Sequence, residues 1–206
     1  MLLKSVTKIL GILLLVIFIS ALLIKERQRT APQNAVNISF PIKNGSYFVS
    51  QSGPDVGVHQ TPQEKYAMDI IKGLPFMSSF LKRNLTDYPI FGESIYAPCY
   101  GNVKELRDGF LDNRPGVRAK TANIIIIGCN GFDVYMAHIK NGSFKVKLGQ
   151  VVRESDVLAE VGNSGNSSEP HLHIMAYSQD KDGNKIPLPL LFDGKYYLKW
   201  DSIVSH

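Results

Sequence analysis

Short apolar segments, many with alternating polar positions, recur along residues 39–206. Pairs of turn residues such as Asn44-Gly45 and Asp108-Gly109 separate them, as is typical of tight turns between antiparallel strands. No long stretch has the 3.6-residue period of an amphipathic helix, and residues 73–88 are predicted as a loop or short helical insertion. The predicted strands include residues 47–49, 95–97, 102–106, 124–127, 134–136, 146–148, 157–159 and 172–176. The pattern therefore predicts a mainly β fold: a single antiparallel β-sheet or β-roll with sandwich-like packing and an open groove.

The N-terminus has a different pattern, because residues 9–24 carry no charge and are almost all apolar. As a helix, these 16 residues would extend over about 24 Å, and the flanking Lys8 and Lys25 could snorkel toward the edges of a ~30 Å hydrocarbon core. We therefore expect an uncleaved signal-anchor, a transmembrane helix that precedes the β domain. A cleaved signal peptide is the alternative, although residues 22–25 do not form a small-x-small cleavage site.

Both interpretations of the N-terminus send the rest of the chain across a membrane. We expect a domain that is anchored to the membrane and faces the periplasm or cell envelope, or that is secreted if the segment is cleaved. Residues 25–38 are polar without an apolar period and are predicted to be a linker. The predicted organisation is a signal-anchor over 1–24, a linker over 25–38 and one folded domain over 39–206.

The charge distribution argues against a nucleic-acid partner. The chain has 206 residues and a formal net charge of +5, but residues 1–30 hold five of its 23 basic and one of its 18 acidic residues. The remaining 176 residues therefore carry 18 basic and 17 acidic side chains, a net charge of only +1. No basic face for phosphate binding is indicated.

The chain has two cysteines, Cys99 and Cys129. In an exported protein, an even number of cysteines permits a disulfide. Two buried free thiols are the alternative, and the sequence alone leaves both open because it does not give the distance between the two Cα atoms.

Histidines are the first candidates for chemistry. His171 and His173 lie two residues apart, and on a strand this spacing directs both imidazoles into one cleft. A glycine-rich polar segment, residues 162–170, leads into them, and His138 ends another apolar stretch. The fifth histidine, His206, is the last residue, and we expect it to have no role in a site.

A single carboxylate, Asp69, interrupts the apolar run of residues 67–71, ten residues after His59. Burial of an unpaired carboxylate costs several kcal/mol. A metal cation would compensate the charge, and so would hydrogen bonds if Asp69 caps a turn. Both interpretations remain open for this residue taken alone.

Taken in order, these residues resemble peptidase family M23, the lysostaphin- and LytM-type zinc endopeptidases. The ordered set is specific, although no single piece is, and it spans roughly residues 57–176. The matching pieces are His59 with Asp69, Ala97-Pro98-x-x-Gly101-x-Val103, Ala137-His138, Gly149-x-Val151, Gly162-Asn163-Ser164-Gly165 and His171-x-His173. Nine residues separate His59 from Asp69, where the family's usual motif has three, and this chain resembles a subset with a longer insertion.

The resemblance implies one Zn²⁺ per chain, with His59, Asp69 and His173 as its ligands and His138 and His171 as catalytic histidines. Two imidazoles and a carboxylate suit zinc and leave a fourth position for water. The implied activity is that of a zinc endopeptidase, in which a metal-activated water attacks a peptide bond and a histidine acts as general base or oxyanion stabiliser. The implied partners are peptides, in particular the stem or cross-bridge peptides of peptidoglycan; the sequence indicates no oligomeric state.

Two other functions fit parts of the pattern. A catalytically silent module of the same fold could bind and regulate other cell-wall hydrolases, but this chain keeps all five side chains that an active site needs. A biotinyl or lipoyl carrier domain would need a lysine at a hairpin tip between its glycine phrases, and no such lysine is evident. The aromatic residues Tyr196, Tyr197 and Trp200 are predicted to pack a final strand.

Overall fold

The computed structural model describes residues 11–20, 30–53, 59, 61–73 and 84–206. Two compact units divide the chain, residues 1–33 and residues 34–206. The first strand, Val36–Ile38, belongs to the second unit, although the sequence analysis assigned it to the linker. The predicted division into 1–24, 25–38 and 39–206 itself stays a prediction, because residues 1–10 and 21–29 lie outside the described residues.

The predicted N-terminal transmembrane helix is wrong. Residues 11–20 are helical. Within the described part of the chain, no helix combines the length and the apolarity that crossing a membrane requires. The rest of the segment on which that prediction rested lies outside the described residues.

The mainly β prediction is confirmed for the second unit. Its described residues form two short 3-10 helices, Pro62–Glu64 and Leu85–Asp87, and fourteen strands. The strands are β1 (Val36–Ile38), β2 (Gly45–Ser52), β3 (Met68–Lys72), β4 (Ser94–Tyr96), β5 (Gly101–Arg107), β6 (Ile124–Gly128), β7 (Asp133–Ala137), β8 (Val151–Val152), β9 (Val157–Glu160), β10 (Leu172–Gln179), β11 (Lys185–Leu188), β12 (Leu190–Phe192), β13 (Lys195–Tyr196) and β14 (Ser202–Ser205).

The strands form three sheets, not the predicted single sheet. The main sheet has nine strands in the order β14-β2-β3-β10-β7-β6-β5-β8, and β11 pairs with the far end of β10. All its pairs are antiparallel, but a second sheet, β1-β12-β13, contains the parallel pair β1–β12. Strands β4 and β9 form the third sheet.

One face of the main sheet packs into the core. Side chains of central strands that point to this face, such as Ile70, Met136 and Ile174, are buried. Strand β6 reads Ile-Ile-Ile-Ile-Gly, and all five of its residues are buried, so neither of its faces is exposed to solvent. Since successive side chains of a strand alternate between faces, the residues next to these core positions line the opposite side of the sheet.

Two predicted segments differ from the structure. Residues 146–148 are not a strand; Lys145 donates a backbone hydrogen bond to Leu158, and only Val146 of the apolar residues there is buried. Of the predicted insertion at 73–88, residues 74–83 lie outside the described residues, and Leu85–Asp87 form a 3-10 helix.

A disulfide joins Cys99 and Cys129, with their Cα atoms 6.0 Å apart. Cys99 precedes β5 and Cys129 follows β6, and these strands pair so that Asn102 lies opposite Gly128. The bridge therefore closes a loop with a sequence separation of 30 residues at the end of an existing strand pair.

Removal of the disulfide by the double substitution Cys99→Ala/Cys129→Ala should lower the free energy of unfolding by about 3–4 kcal/mol, because a loop of this length constrains the unfolded chain. Urea unfolding of the two proteins measures the difference. If both cysteines of the unreduced wild-type protein react with a thiol reagent, the disulfide is not present.

Candidate metal centre and groove

Strand register brings the central residues of the site together. His173 of β10 lies opposite Asp69 of β3 on one side and opposite Ala137 of β7 on the other. Cross-strand partners point to the same face of a sheet, so Asp69 and His173 face the side opposite the core. The short side chain of Ala137 leaves space beside His173 for the histidine that follows it, His138.

Asp69 is the centre of a cluster of imidazoles. Its carboxylate oxygen Oδ1 accepts a hydrogen bond from Nδ1 of His173 at 3.0 Å and another from Nε2 of His59 at 3.1 Å. Nε2 of His171 lies 3.5 Å from the same oxygen. Asp69 and His173 are each only 6% exposed, so this carboxylate depends on the imidazoles around it rather than on water.

The imidazoles keep Asp69 ionised. Burial by itself would raise the pKa of Asp69, but the charge of His171 and the hydrogen bonds from His173 and His59 outweigh it, and the pKa lies well below its usual range. For His59, burial acts to lower the pKa, but the hydrogen bond to Asp69 and its charge dominate and raise it. The cluster therefore behaves as one coupled unit.

One side-chain atom from each of His59, Asp69 and His173 lies within 4.8 Å of the others, a spacing at which three ligands could hold one metal ion. These atoms are two imidazole nitrogens and a carboxylate oxygen, which is a donor set that zinc accepts. His59 joins the cluster despite its nine-residue separation from Asp69. The structure thus brings together the three residues predicted as ligands.

His138 faces the groove because the chain leaves β7 in an unusual conformation. Tyr135 and Ala137 point to the groove, so strict alternation would direct His138 to the core. Instead His138 has φ 62°, in the left-handed region, which costs about 1–3 kcal/mol for a residue other than glycine. Its Nδ1 donates to the carbonyl oxygen of Ser164 at 2.7 Å, which leaves Nε2 as the nitrogen without a proton.

Burial, followed by the nearby imidazoles of His171 and His173, lowers the pKa of His138 to about 3. His138 is therefore neutral at neutral pH. Its ring lies 4.6 Å from that of His171, centroid to centroid. His171 is oriented in the same way as His138, since its Nδ1 donates to the carbonyl oxygen of Glu169 at 2.8 Å and its Nε2 points toward Asp69. Both predicted catalytic histidines thus expose Nε2 beside the ligand cluster.

The segment 108–123, between β5 and β6, holds the turn that positions His138. Asn123 is fully buried, and its amide donates to the carbonyls of Phe110 at 2.7 Å and Ile139 at 2.9 Å, while its backbone N–H donates to Oγ of Ser164 at 3.0 Å. Gly165 lies so close to Ala122 that a Cβ on Gly165 would be 2.5 Å from the Ala122 Cβ. The sequence analysis did not identify this support.

Other residues line the groove that the sequence analysis did not select. Three are cationic, namely Arg107, Arg118 and Lys120, and one is Trp200, which is 52% exposed. Trp200 was predicted to pack a final strand, but it precedes β14 and has φ 72°. No sequence signal distinguishes these residues from ordinary surface residues, because their shared location arises from tertiary contacts between distant segments. His206 is exposed and is not among the lining residues.

Comparison with known proteins identifies the class. Residues 85–185 match the model described as "Peptidase family M23". This match confirms, for the matched range, the resemblance to the family that the motifs predicted. The matched range includes His138, His171 and His173 but begins after His59 and Asp69. The place of His59 and Asp69 in the site therefore depends on their contacts with each other and with His173. No curated protein matches the sequence.

Solved structures of similar shape include three bacterial proteins. A putative peptidase M23 from Pseudomonas aeruginosa is 19% identical, with 77% of this chain and 50% of that chain covered and a TM-score of 0.42. A mutant of the catalytic domain of the prophage-encoded M23 protein EnpA from Enterococcus faecalis is 15% identical, with 75% and 95% covered and a TM-score of 0.46. The lysostaphin catalytic domain from Staphylococcus simulans is 16% identical, with 68% and 86% covered and a TM-score of 0.41. The chain spans half the length of the Pseudomonas protein.

Gly165→Ala should destabilise the protein by about 2–4 kcal/mol, because the new methyl group would overlap Ala122 and the backbone would be strained. Gly142→Ala is the matched control: Gly142 also has a positive φ, 69°, but no atom lies within 4 Å of its Cβ position. We expect the control to lose only about 1 kcal/mol. Urea unfolding of both variants tests this, and equal losses would show that crowding at Gly165 is unimportant.

Proposed function

We propose that this chain is a zinc-dependent endopeptidase that hydrolyses peptide bonds, with the stem or cross-bridge peptides of peptidoglycan as its substrate class. The observation that carries the proposal is the convergence of His59, Asp69 and His173 on one point, with His138 and His171 beside them in the same groove. The match to a peptidase family supports it.

The cluster fits a zinc ion. A buried carboxylate needs a positive or hydrogen-bonding partner, and the N–H groups of His59 and His173 both donate to it. A zinc ion held by these three residues would compensate the carboxylate directly and keep a fourth position open. When bound there, zinc would act as a Lewis acid that lowers the pKa of a water molecule and polarises the scissile carbonyl.

The two remaining histidines would move protons. His138 is neutral, and its Nδ1–H is fixed on Ser164, so its Nε2 can accept a proton and, once charged, stabilise negative charge on the substrate. His171 has the same orientation, fixed by the carbonyl of Glu169. Both side chains are therefore preorganised before a peptide binds.

We further propose that the domain works on the extracytoplasmic side, in the periplasm or cell envelope. The disulfide between Cys99 and Cys129 supports this location, since disulfides persist in oxidising compartments. Alkylation of free thiols in native cells, followed by mass spectrometry of the intact protein, would reveal whether the bridge forms there.

The metal proposal predicts one zinc per chain in elemental analysis. Asp69→Asn, His173→Ala and His59→Ala should each weaken zinc binding by on the order of a hundredfold or more, because each removes one of three protein ligands. His206→Ala is the matched control, because it removes a histidine that does not line the groove. Calorimetric titration of metal-free protein measures the affinities. Unchanged affinity in His59→Ala would remove His59 from the site.

The division of roles predicts that His138→Asn and His171→Ala keep zinc but lose turnover by about 10²–10⁴-fold, because each removes a proton-transfer group. Asparagine is chosen at 138 because it tolerates the left-handed conformation. The measurement is the appearance of new amino groups in purified peptidoglycan. Zinc-loaded wild type that binds peptidoglycan without cutting it would instead favour the silent regulatory module.

A further inference from the structure

The groove runs across the strands of the main sheet. A continuous row of cross-strand partners lines it, each residue opposite the next: Gln51, Asp69, His173, Ala137, Ile124 and Arg107. A peptide in this groove would therefore extend from β2 at one end to β5 at the other. The candidate metal centre lies between these ends, on β3 and β10.

The two ends differ in charge. Arg107, Arg118 and Lys120 all come from the end of β5 and the segment after it, and we call them the cationic end. From His173 to Arg107 there are three steps between neighbouring strands, or about 14 Å at ~4.8 Å per step. The opposite end, toward β2, is lined by Ser50, Gln51 and Trp200 and carries both signs of charge, since Lys199 donates a hydrogen bond to Gln51 at 3.1 Å and Glu64 lines the groove near His59.

The positive charge at the cationic end is largely uncompensated. Arg107 forms a half-exposed ion pair with Glu105 at 3.0 Å. Within the part of the chain that the structure describes, neither Arg118 nor Lys120 forms an ion pair or a side-chain hydrogen bond. The groove lining as a whole also contains the carboxylates of Glu64, Asp69 and Glu169, so the three cations are a concentration of charge at one end and not a net charge of the groove.

The segment that carries Arg118 is held in place. The backbone N–H of Gly116 donates to the carbonyl of Ser168 at 2.7 Å, and that of Ala119 donates to the carbonyl of Gly165 at 2.9 Å. Arg118 thus lies between two anchored residues, beside the turn that positions His138. The backbone that carries Arg118 is therefore fixed, while its exposed guanidinium is available to an anionic group of a ligand.

We propose that the cationic end binds a carboxylate of the peptide substrate on the β5 side of the scissile bond; for Arg107, about 14 Å corresponds to about four residues of extended chain. This inference rests on the proposed function, because it takes the substrate to be a peptide that lies along the groove. Carboxylates are the anions that peptides carry, and a guanidinium can bind them through two parallel hydrogen bonds. The groove thereby selects acidic peptides and sets their direction.

The test compares a synthetic peptidoglycan stem peptide that has free carboxylates with the same peptide after their conversion to primary amides. Binding is measured by fluorescence anisotropy with the full chain carrying His171→Asn, which blocks turnover. Arg118→Gln/Lys120→Gln is added to this protein. The control is Lys147→Gln/Lys195→Gln, which removes two exposed cations outside the groove.

We expect the free-carboxylate peptide to bind about tenfold more tightly than the amide, and the difference to decrease in Arg118→Gln/Lys120→Gln, which keeps Arg107, but to persist unchanged in the control. It should also shrink as salt is raised. Equal binding of the two peptides, or equal loss in both double variants, would overturn the proposal. Binding does not require hydrolysis, so absence of turnover in wild type would refute the endopeptidase function and leave this test valid.

Discussion

The burial of the Asp69 carboxylate is the constraint on which the site depends. At 6% exposure, Asp69 cannot rely on water, and an uncompensated charge there would cost several kcal/mol. Three imidazoles approach one oxygen of this carboxylate, from His59, His171 and His173. Loss of any one of these imidazoles would leave the charge of the carboxylate to be compensated by the other two alone. The pairing of β3 with β10 brings Asp69 and His173 together, so the register of the main sheet and the electrostatics of the site cannot change independently.

The position of His138 depends on chain segments that carry no chemistry. Its left-handed φ is an unfavourable conformation, and the hydrogen bond to Ser164 helps to maintain it. Oγ of Ser164 in turn accepts a hydrogen bond from the backbone N–H of Asn123, in the segment between β5 and β6. The side-chain amide of Asn123 holds that residue in place through hydrogen bonds with backbone groups of Phe110 and Ile139. Its removal would be costly, because these buried partners would remain unsatisfied. The position of His138 is therefore fixed by a network of hydrogen bonds that runs from its imidazole through Ser164 to Asn123.

Local patterns could predict much of this fold and site, but not the features that arise from tertiary contacts. The spacing of His171 and His173 predicted one shared cleft, and both residues line the groove. The orientation of His138 could not be predicted, because alternation alone directs it toward the core. Residues 146–148 have the apolar pattern of a strand but lack a strand partner. The cationic residues 107, 118 and 120 are ordinary in sequence, and only the folding of residues 108–123 over the sheet brings them to the groove.

Arg107 is separated in space from the ligand cluster along the groove. Arg107 lies about 14 Å from His173, which exceeds the ~8 Å Debye length at physiological ionic strength. A cation at this distance and in contact with solvent has little effect on the ionisation of the buried imidazoles. By contrast, a charged side chain in place of Ala137, which lies opposite His173 on the neighbouring strand, would directly alter the balance of charge around Asp69. The uncharged row between Arg107 and His173, namely Ala137 and Ile124, therefore allows the charge of Arg107 to vary without disturbance of the site.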